Sequence, residues 1–181
     1  STQRPEKSTS KQTSAGGSRP KVPARVYALD YQQIPDATEV VEGTIPIFHR
    51  LAKVLIDPGA THSFVNPNFM SGIDLKPIKL PYDLEVRTPT GDQSLIANLV
   101  YKNCEIWVGE RKLLADLIDL AIKWYGVILG MDWLARYNAQ LNCKMKIVEL
   151  CIPGDATLKL DVRGRLASSV LISQGSELGK Y

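Results

Sequence analysis

The chain has 181 residues, of which 44% are hydrophobic, the size of one domain with or without tails and enough apolar content for a single core. Its formal charge of +3 is uneven: residues 1–25 hold six Lys/Arg (Arg4, Lys7, Lys11, Arg19, Lys21, Arg25) against Glu6, a net of +5, which leaves the rest at −2, so the basic character belongs to a tail. Cys104, Cys143 and Cys151 are odd in number and in no metal-binding spacing, and there is no glycosylation sequon, leader pattern or uncharged apolar run near the ~20 residues of a membrane helix; a soluble protein of a reducing, cytoplasmic compartment is expected, without cofactor, metal or membrane.

Ser1–Pro23 is rich in Ser, Thr, Lys, Arg, Gly and Pro and nearly free of large apolar residues. Such a segment cannot bury enough surface to offset its ordering entropy, so residues 1–24 are expected to form a disordered basic linker. Its alternative use is a weak RNA contact through phosphates, though no aromatic residues interleave the charges to stack on bases. From residue 25 the composition changes. Arg25-Val26-Tyr27-Ala28-Leu29 reads as a first strand and Gln32–Glu39 as a polar loop. Val40–Ile47 is strand-like, and Pro46 within it points to an edge or a bulge. After the polar turn His49-Arg50, the run Ala52–Ile56 delivers Asp57 to a Pro-Gly turn, and apolar residues resume at Phe64. A buried strand that ends in a carboxylate is costly unless that carboxylate is used or satisfied.

Asn66-Pro67 reads as a helix cap followed by proline at the first helical position, with Gly72 as the stop. Tyr82–Thr88 and Gln93–Val100 alternate in polarity around the turn residues Pro89-Thr90-Gly91-Asp92, which predicts a hairpin. Asn103–Val108 continues as a strand and Gly109-Glu110 turns. Leu113–Ile122 fits a helical period. Val127-Ile128-Leu129-Gly130 is a short buried strand, and Asp132–Tyr137 a short helix. Ala139–Asn142 and Ile147–Ile152 look paired, Pro153-Gly154-Asp155 turns, and Leu158–Val162 follows. Val170-Leu171-Ile172 is either a last strand or the start of a further region.

Two of these stretches carry a resemblance. Asp57-Pro58-Gly59-Ala60-Thr61-His62-Ser63-Phe64 resembles the active-site loop of retropepsin-type aspartic proteases, most closely those of gypsy-type LTR retrotransposons of plants, which usually read Asp-Ser-Gly-Ala-Thr-His-Ser-Phe. Val127-Ile128-Leu129-Gly130-Met131-Asp132-Trp133-Leu134 resembles that family's apolar-apolar-Gly motif and short helix. The resemblance implies a mostly β fold, a retropepsin-like closed barrel with two or three short helices and one half-site per chain. It covers roughly Val26 to Leu160, within an expected domain at 25–162 that is followed by a C-terminal extension at 163–181. It also implies a strand at Leu113–Ile122, where the period alone favours a helix.

By the same resemblance Asp57 is the catalytic carboxylate, Pro58, Gly59, Ala60 and Thr61 form its loop, and Ile128, Leu129 and Gly130 support that loop. The hairpin near residues 82–100 is a flap with Thr88, Pro89, Thr90 and Gly91 at its tip. Aspartic proteases need two carboxylates that share one proton, yet no second aspartate stands in a comparable context. The partner is therefore Asp57 of a second copy in a twofold homodimer. The substrate is an extended polypeptide, the element's own Gag-Pol polyprotein, cleaved inside cells or virus-like particles. Two positions depart from the family pattern: Pro58 replaces a hydroxyl residue that bonds across the dimer, and Gly126 replaces an aspartate. Two other functions compete: a retropepsin-fold dimerisation or peptide-binding module with impaired catalysis, and a nucleic-acid-associated assembly fragment that uses the basic tail.

Overall fold

A computed structural model of the protein describes residues 17–26, 40–87, 93–152, 154 and 157–162. These comprise eleven strands and two short helices. In chain order they are β1 (Lys21–Arg25), β2 (Val41–Ile47), β3 (Arg50–Ile56), β4 (Phe64–Val65), α1 (Pro67–Met70), β5 (Ile78–Arg87), β6 (Ser94–Val108), β7 (Arg111–Asp119), β8 (Val127–Leu129), α2 (Met131–Arg136), β9 (Gln140–Asn142), β10 (Ile147–Cys151) and β11 (Thr157–Asp161).

Six strands close on themselves in the order β6-β2-β3-β8-β4-β7, with β7 pairing back onto β6. Closure leaves the barrel without a free edge. β5 continues the sheet from β6 as one arm of a long hairpin, and β1 lies outermost, parallel to β5. β9, β10 and β11 form a separate antiparallel sheet. Its inner residues Val148, Leu150, Leu158 and Leu160 join the larger apolar cluster, with Ile45, Ile47, Val54, Ile106, Leu117 and Trp133. A second cluster holds Leu55, Ala60, Phe64, Leu84, Val86, Val100 and Ile128, from the β5–β6 hairpin and from the strands and loop around Asp57.

The strands at the middle of the barrel separate these two cores. On β3, Val54 and Ile56 face the larger cluster and Leu55 the smaller; on β8, Val127 and Leu129 face the larger and Ile128 the smaller. A strand buried on both faces has no need for polar alternation. That is why Val54-Leu55-Ile56 and Val127-Ile128-Leu129 are continuous apolar runs.

The helical period at Leu113–Ile122 gives way to strand β7, as the resemblance implied. Leu113, Ala115 and Leu117 face the larger core, while Ile118, Leu120 and Ile122 face the smaller one. Two period-two patterns of opposite phase, joined at 117–118, imitate the spacing of a helix. α1 forms as read: the Asn66 side chain accepts from the Asn68 N–H and Pro67 is at the first position. Gly72 follows at φ +80°, a left-handed conformation that glycine adopts without a steric penalty.

One expectation at the N-terminal side is corrected. A strand at Lys21–Arg25 occupies the last residues of the segment read as a disordered linker; of the strand expected at Arg25–Leu29, residues 27–29 lie outside the described residues. Backbone pairing with β5 orders residues whose own composition would not. The remaining residues of that segment up to 16, the polar loop expected at Gln32–Glu39 and the extension at 163–181 lie outside the described residues. Among the described residues no helix is long and apolar enough to cross a membrane.

Candidate active site

β3 ends at Ile56, paired in parallel register with Leu129 of β8. The Asp57 N–H continues that ladder by donating to the Leu129 carbonyl at 2.9 Å. The next three residues fold over the aspartate itself. The Ala60 N–H donates to the Asp57 carbonyl at 3.1 Å, and the Gly59 N–H donates to Asp57 Oδ1 at 2.9 Å. A β-carbon on Gly59 would stand 3.1 Å from that same oxygen, a tight contact that would push the carboxylate aside by a few tenths of an ångström. Asp57 is 8% exposed and Ala60 is fully buried, while Pro58, Gly59 and Thr61 face outward. Asp57 and Ser63 are the buried polar side chains of the described residues. The loop therefore presents an exposed tip around a largely buried carboxylate.

The strand end at Leu129 and the residues after it also touch the Asp57 loop through the backbone. The Met131 N–H donates to the Ala60 carbonyl at 2.8 Å. At Gly130 a β-carbon would lie 2.2 Å from the His62 carbonyl oxygen and 2.8 Å from that of Ala60. The Asp57 loop thus sits directly on the Gly130 backbone, a packing that no other residue type permits.

A second clamp was not read from the sequence. Ser63 Oγ donates to Asp132 Oδ1 at 2.6 Å and accepts from the Gly130 N–H at 3.0 Å. The Ser63 N–H reaches Asp132 Oδ2 at 3.2 Å. Asp132 lies in the first turn of α2, which begins one residue earlier than expected, at Met131; it accepts from the Trp133 N–H at 2.8 Å and also fixes the far end of the Asp57 loop. The available signal was a hydroxyl residue just before β4 and an acid just after Gly130. Only the pairing of β4 with β8 brings them together.

His62 lies half-buried beside this clamp, with its Nδ1 2.8 Å from Thr61 Oγ1. Burial holds its pKa below the ordinary 6.5, and the charge of Asp132 opposes that shift. On the other side, buried Tyr125 donates to Glu42 Oε2, and Lys53 Nζ stands 4.0 Å from Glu42 Oε1 and 5.2 Å from the Tyr125 ring. Burial, then Glu42, then the charge of Asp57 push the Tyr125 phenol well above its usual pKa. That phenol remains a neutral hydrogen-bond donor near the aspartate.

The hairpin of β5 and β6 is present, but Thr88, Pro89, Thr90 and Gly91 lie outside the described residues. Among the described residues no group of three His, Cys, Asp or Glu could hold a metal. The second aspartate that a shared-proton pair requires is not held in any equivalent loop of this chain's described residues; Asp132 is committed to Ser63 and α2.

No curated protein matches the chain in sequence. Among solved structures the chain is similar to the retroviral protease-like domain of Ddi1 from Leishmania major, at 14% identity and a TM-score of 0.47 over 61% of this chain and 87% of that one. It is also similar to a Legionella pneumophila protein of unknown function, at 16% identity and a TM-score of 0.34 over 55% of this chain and 87% of the other. A family model described as retroviral aspartyl protease matches residues 21–153. That span takes in well over half of the chain, the Asp57 loop and the strand and helix that hold it, and the chain belongs to the retroviral aspartyl protease family.

Proposed function

We propose that the chain is an aspartic endopeptidase that works as a twofold homodimer, with Asp57 of each copy supplying one carboxylate. The observation that carries this reading is a buried aspartate delivered by β3 into an exposed turn, with Gly59, Gly130 and the Ser63–Asp132 clamp fixing its position. A single such carboxylate cannot act as acid and base at once. Two copies related by a twofold axis through the exposed Pro58-Gly59 tip would set the two carboxylates side by side. Like charges that close cannot both ionise, so the pair holds one proton and titrates as a unit. The ionised member takes a proton from water while the protonated member donates to the scissile carbonyl. The hydroxide equivalent then adds to that carbonyl carbon.

The substrate is an extended polypeptide lying under the β5–β6 flap, with Thr88, Pro89, Thr90 and Gly91 at its tip. Given the Asp57–Phe64 and Val127–Leu134 motifs, the substrate proposed is the Gag-Pol polyprotein of a gypsy-type retrotransposon that encodes the chain. The test is self-processing of the full chain fused at both ends to reporter domains, beside an Asp57→Asn control, from mildly acidic to neutral pH. Cleavage that disappears in the control supports the reading. Absence of cleavage in a folded, dimeric protein would move the function to a peptide-binding or dimerisation module, a reading favoured by the missing hydroxyl at Pro58.

A further inference from the structure

The outermost strand of the sheet has an unusual place. β1 is parallel to β5 and registers Lys21 with Asp83 through Arg25 with Arg87, the last described residue before the flap tip. Among the described residues β5 is its single neighbour in the sheet, so its departure would break no other strand pairing there. The strand is two-faced. Lys21, Pro23 and Arg25 are exposed, whereas Val22 is partly buried and Ala24 and Val26 are 2% and 1% exposed. Those inward side chains are small or β-branched. They enter the smaller apolar cluster, beside Leu84 and Val86 of β5 and with Leu55 and Ala60, which flank Asp57 in the chain.

Just upstream, Arg19 anchors the strand. Its Nε lies 2.9 Å from Asp83 Oδ1; its Nη2 donates to the Tyr82 carbonyl at 3.2 Å and also to that of Leu80. The Asp83 N–H donates to the Pro20 carbonyl at 3.0 Å. The Arg19–Asp83 pair is partly exposed, so it is a modest, releasable hold rather than a buried ion pair.

We infer that the outer edge of β5 is a peptide-recognition edge already occupied by the chain's own residues 17–26. That segment is a built-in competitor for extended peptides with small or β-branched side chains at alternate positions and an arginine ahead of them. The inference rests on the reading that a substrate strand lies against the flap. An extended peptide adds to a sheet through an edge whose N–H and C=O groups are open, with alternate side chains entering pockets. On the flap side of β5, that edge is the one β1 covers. The parallel direction of β1 raises no obstacle, because a peptide crossing a twofold axis runs parallel to one copy's β5 and antiparallel to the other's. Ala24 and Val26 then report the side-chain sizes that the edge accepts, and Asp83 the charge it selects.

The test reads binding rather than cleavage, on the full chain carrying Asp57→Asn, so that its outcome is separable from that of the protease reading. The probe is a labelled peptide with the sequence of residues 17–26, followed by fluorescence anisotropy. Ala24→Asp in the chain places a charge in the apolar cluster and expels the strand. An occupied edge lowers apparent affinity by the fraction of time it stays closed, so the variant is expected to bind the peptide about tenfold or more tightly than the parent chain. A peptide carrying the same Ala24→Asp change is expected not to bind. Arg19→Ala, which leaves the apolar face of β1 intact, is expected to shift affinity in the same direction by a smaller factor and to speed hydrogen exchange at β5 amides. It decides the matter if Ala24→Asp does not fold. Equal affinity for parent and variant chains, or no binding to any of them, overturns the inference.

Discussion

Gly130 is the residue on which the Asp57 loop rests. A methyl group there would stand 2.2 Å from the His62 carbonyl, far inside contact distance and against backbone that cannot swing away. Gly130→Ala is therefore expected to destabilise the fold by about 3 kcal/mol or more, read as a lower urea midpoint at unchanged slope. Ser63 is the other fixed point. Ser63→Ala leaves the buried Gly130 N–H without its side-chain acceptor, a loss of about 1–3 kcal/mol, and takes from exposed Asp132 its closest donor. Under the proposed function, a loop freed at one end should lower kcat more than KM. His62 adds a pH dependence. Its folded pKa is below 6.5, so the folded state binds the proton less readily than the unfolded chain. The stabilising difference is complete above 6.5 and is lost as pH falls through the lower, folded value. Urea midpoints measured from pH 7.5 downward should drop less steeply in His62→Gln than in the parent chain.

At the level of elements, the end of β11 is held by a contact that only glycine allows. A β-carbon on Gly43 would lie 1.1 Å from the Val162 carbonyl oxygen, which accepts from the Thr44 N–H at 3.1 Å. Gly43→Ala must displace Val162, whose side chain is fully buried in the larger core. The expected result is a detached β10–β11 edge, with faster hydrogen exchange there than in β3 and β8 and a stability loss of roughly 2–4 kcal/mol. β7 makes a related point about patterning. A strand that passes from one core to the other changes the phase of its apolar residues midway, and its sequence then scores as a helix. The turn between β2 and β3 is also informative. Phe48 and His49 adopt φ of 51° and 58°, as a two-residue hairpin of this hand requires, without glycine or asparagine. The His49 ring stacks at 4.6 Å on Trp107, so tertiary contacts impose a turn that local propensity would not choose.

At the scale of the whole molecule, one chain carries half of the proposed chemistry, and activity should follow the dimer. Specific activity is expected to fall with dilution in parallel with the dimer fraction measured by sedimentation; full activity at concentrations where only monomer is present would end the two-carboxylate reading. Pro58 sits exposed at the loop tip and can offer neither a hydroxyl nor an N–H. Pro58→Ser restores a donor on both sides of the axis. At about 1 kcal/mol per hydrogen bond, and with two made by symmetry, it should tighten the dimer roughly thirtyfold and raise turnover at limiting concentration.

The sequence by itself determined the local events: an apolar run ending in Asp57, a Pro-Gly turn, a capped helix at Asn66, a hairpin through residues 82–100 and a short helix after Gly130. Each rests on neighbours within a few positions, where periodicity and turn chemistry operate. The tertiary structure decided what depends on pairs distant in the chain. The Ser63–Asp132 clamp spans 69 positions, and the order of Lys21–Arg25 comes from pairing with β5 rather than from its own composition. The strand state of β7 likewise reflects two cores on opposite faces. Composition records what a segment could bury alone; it does not record the partner that arrives only when the barrel closes.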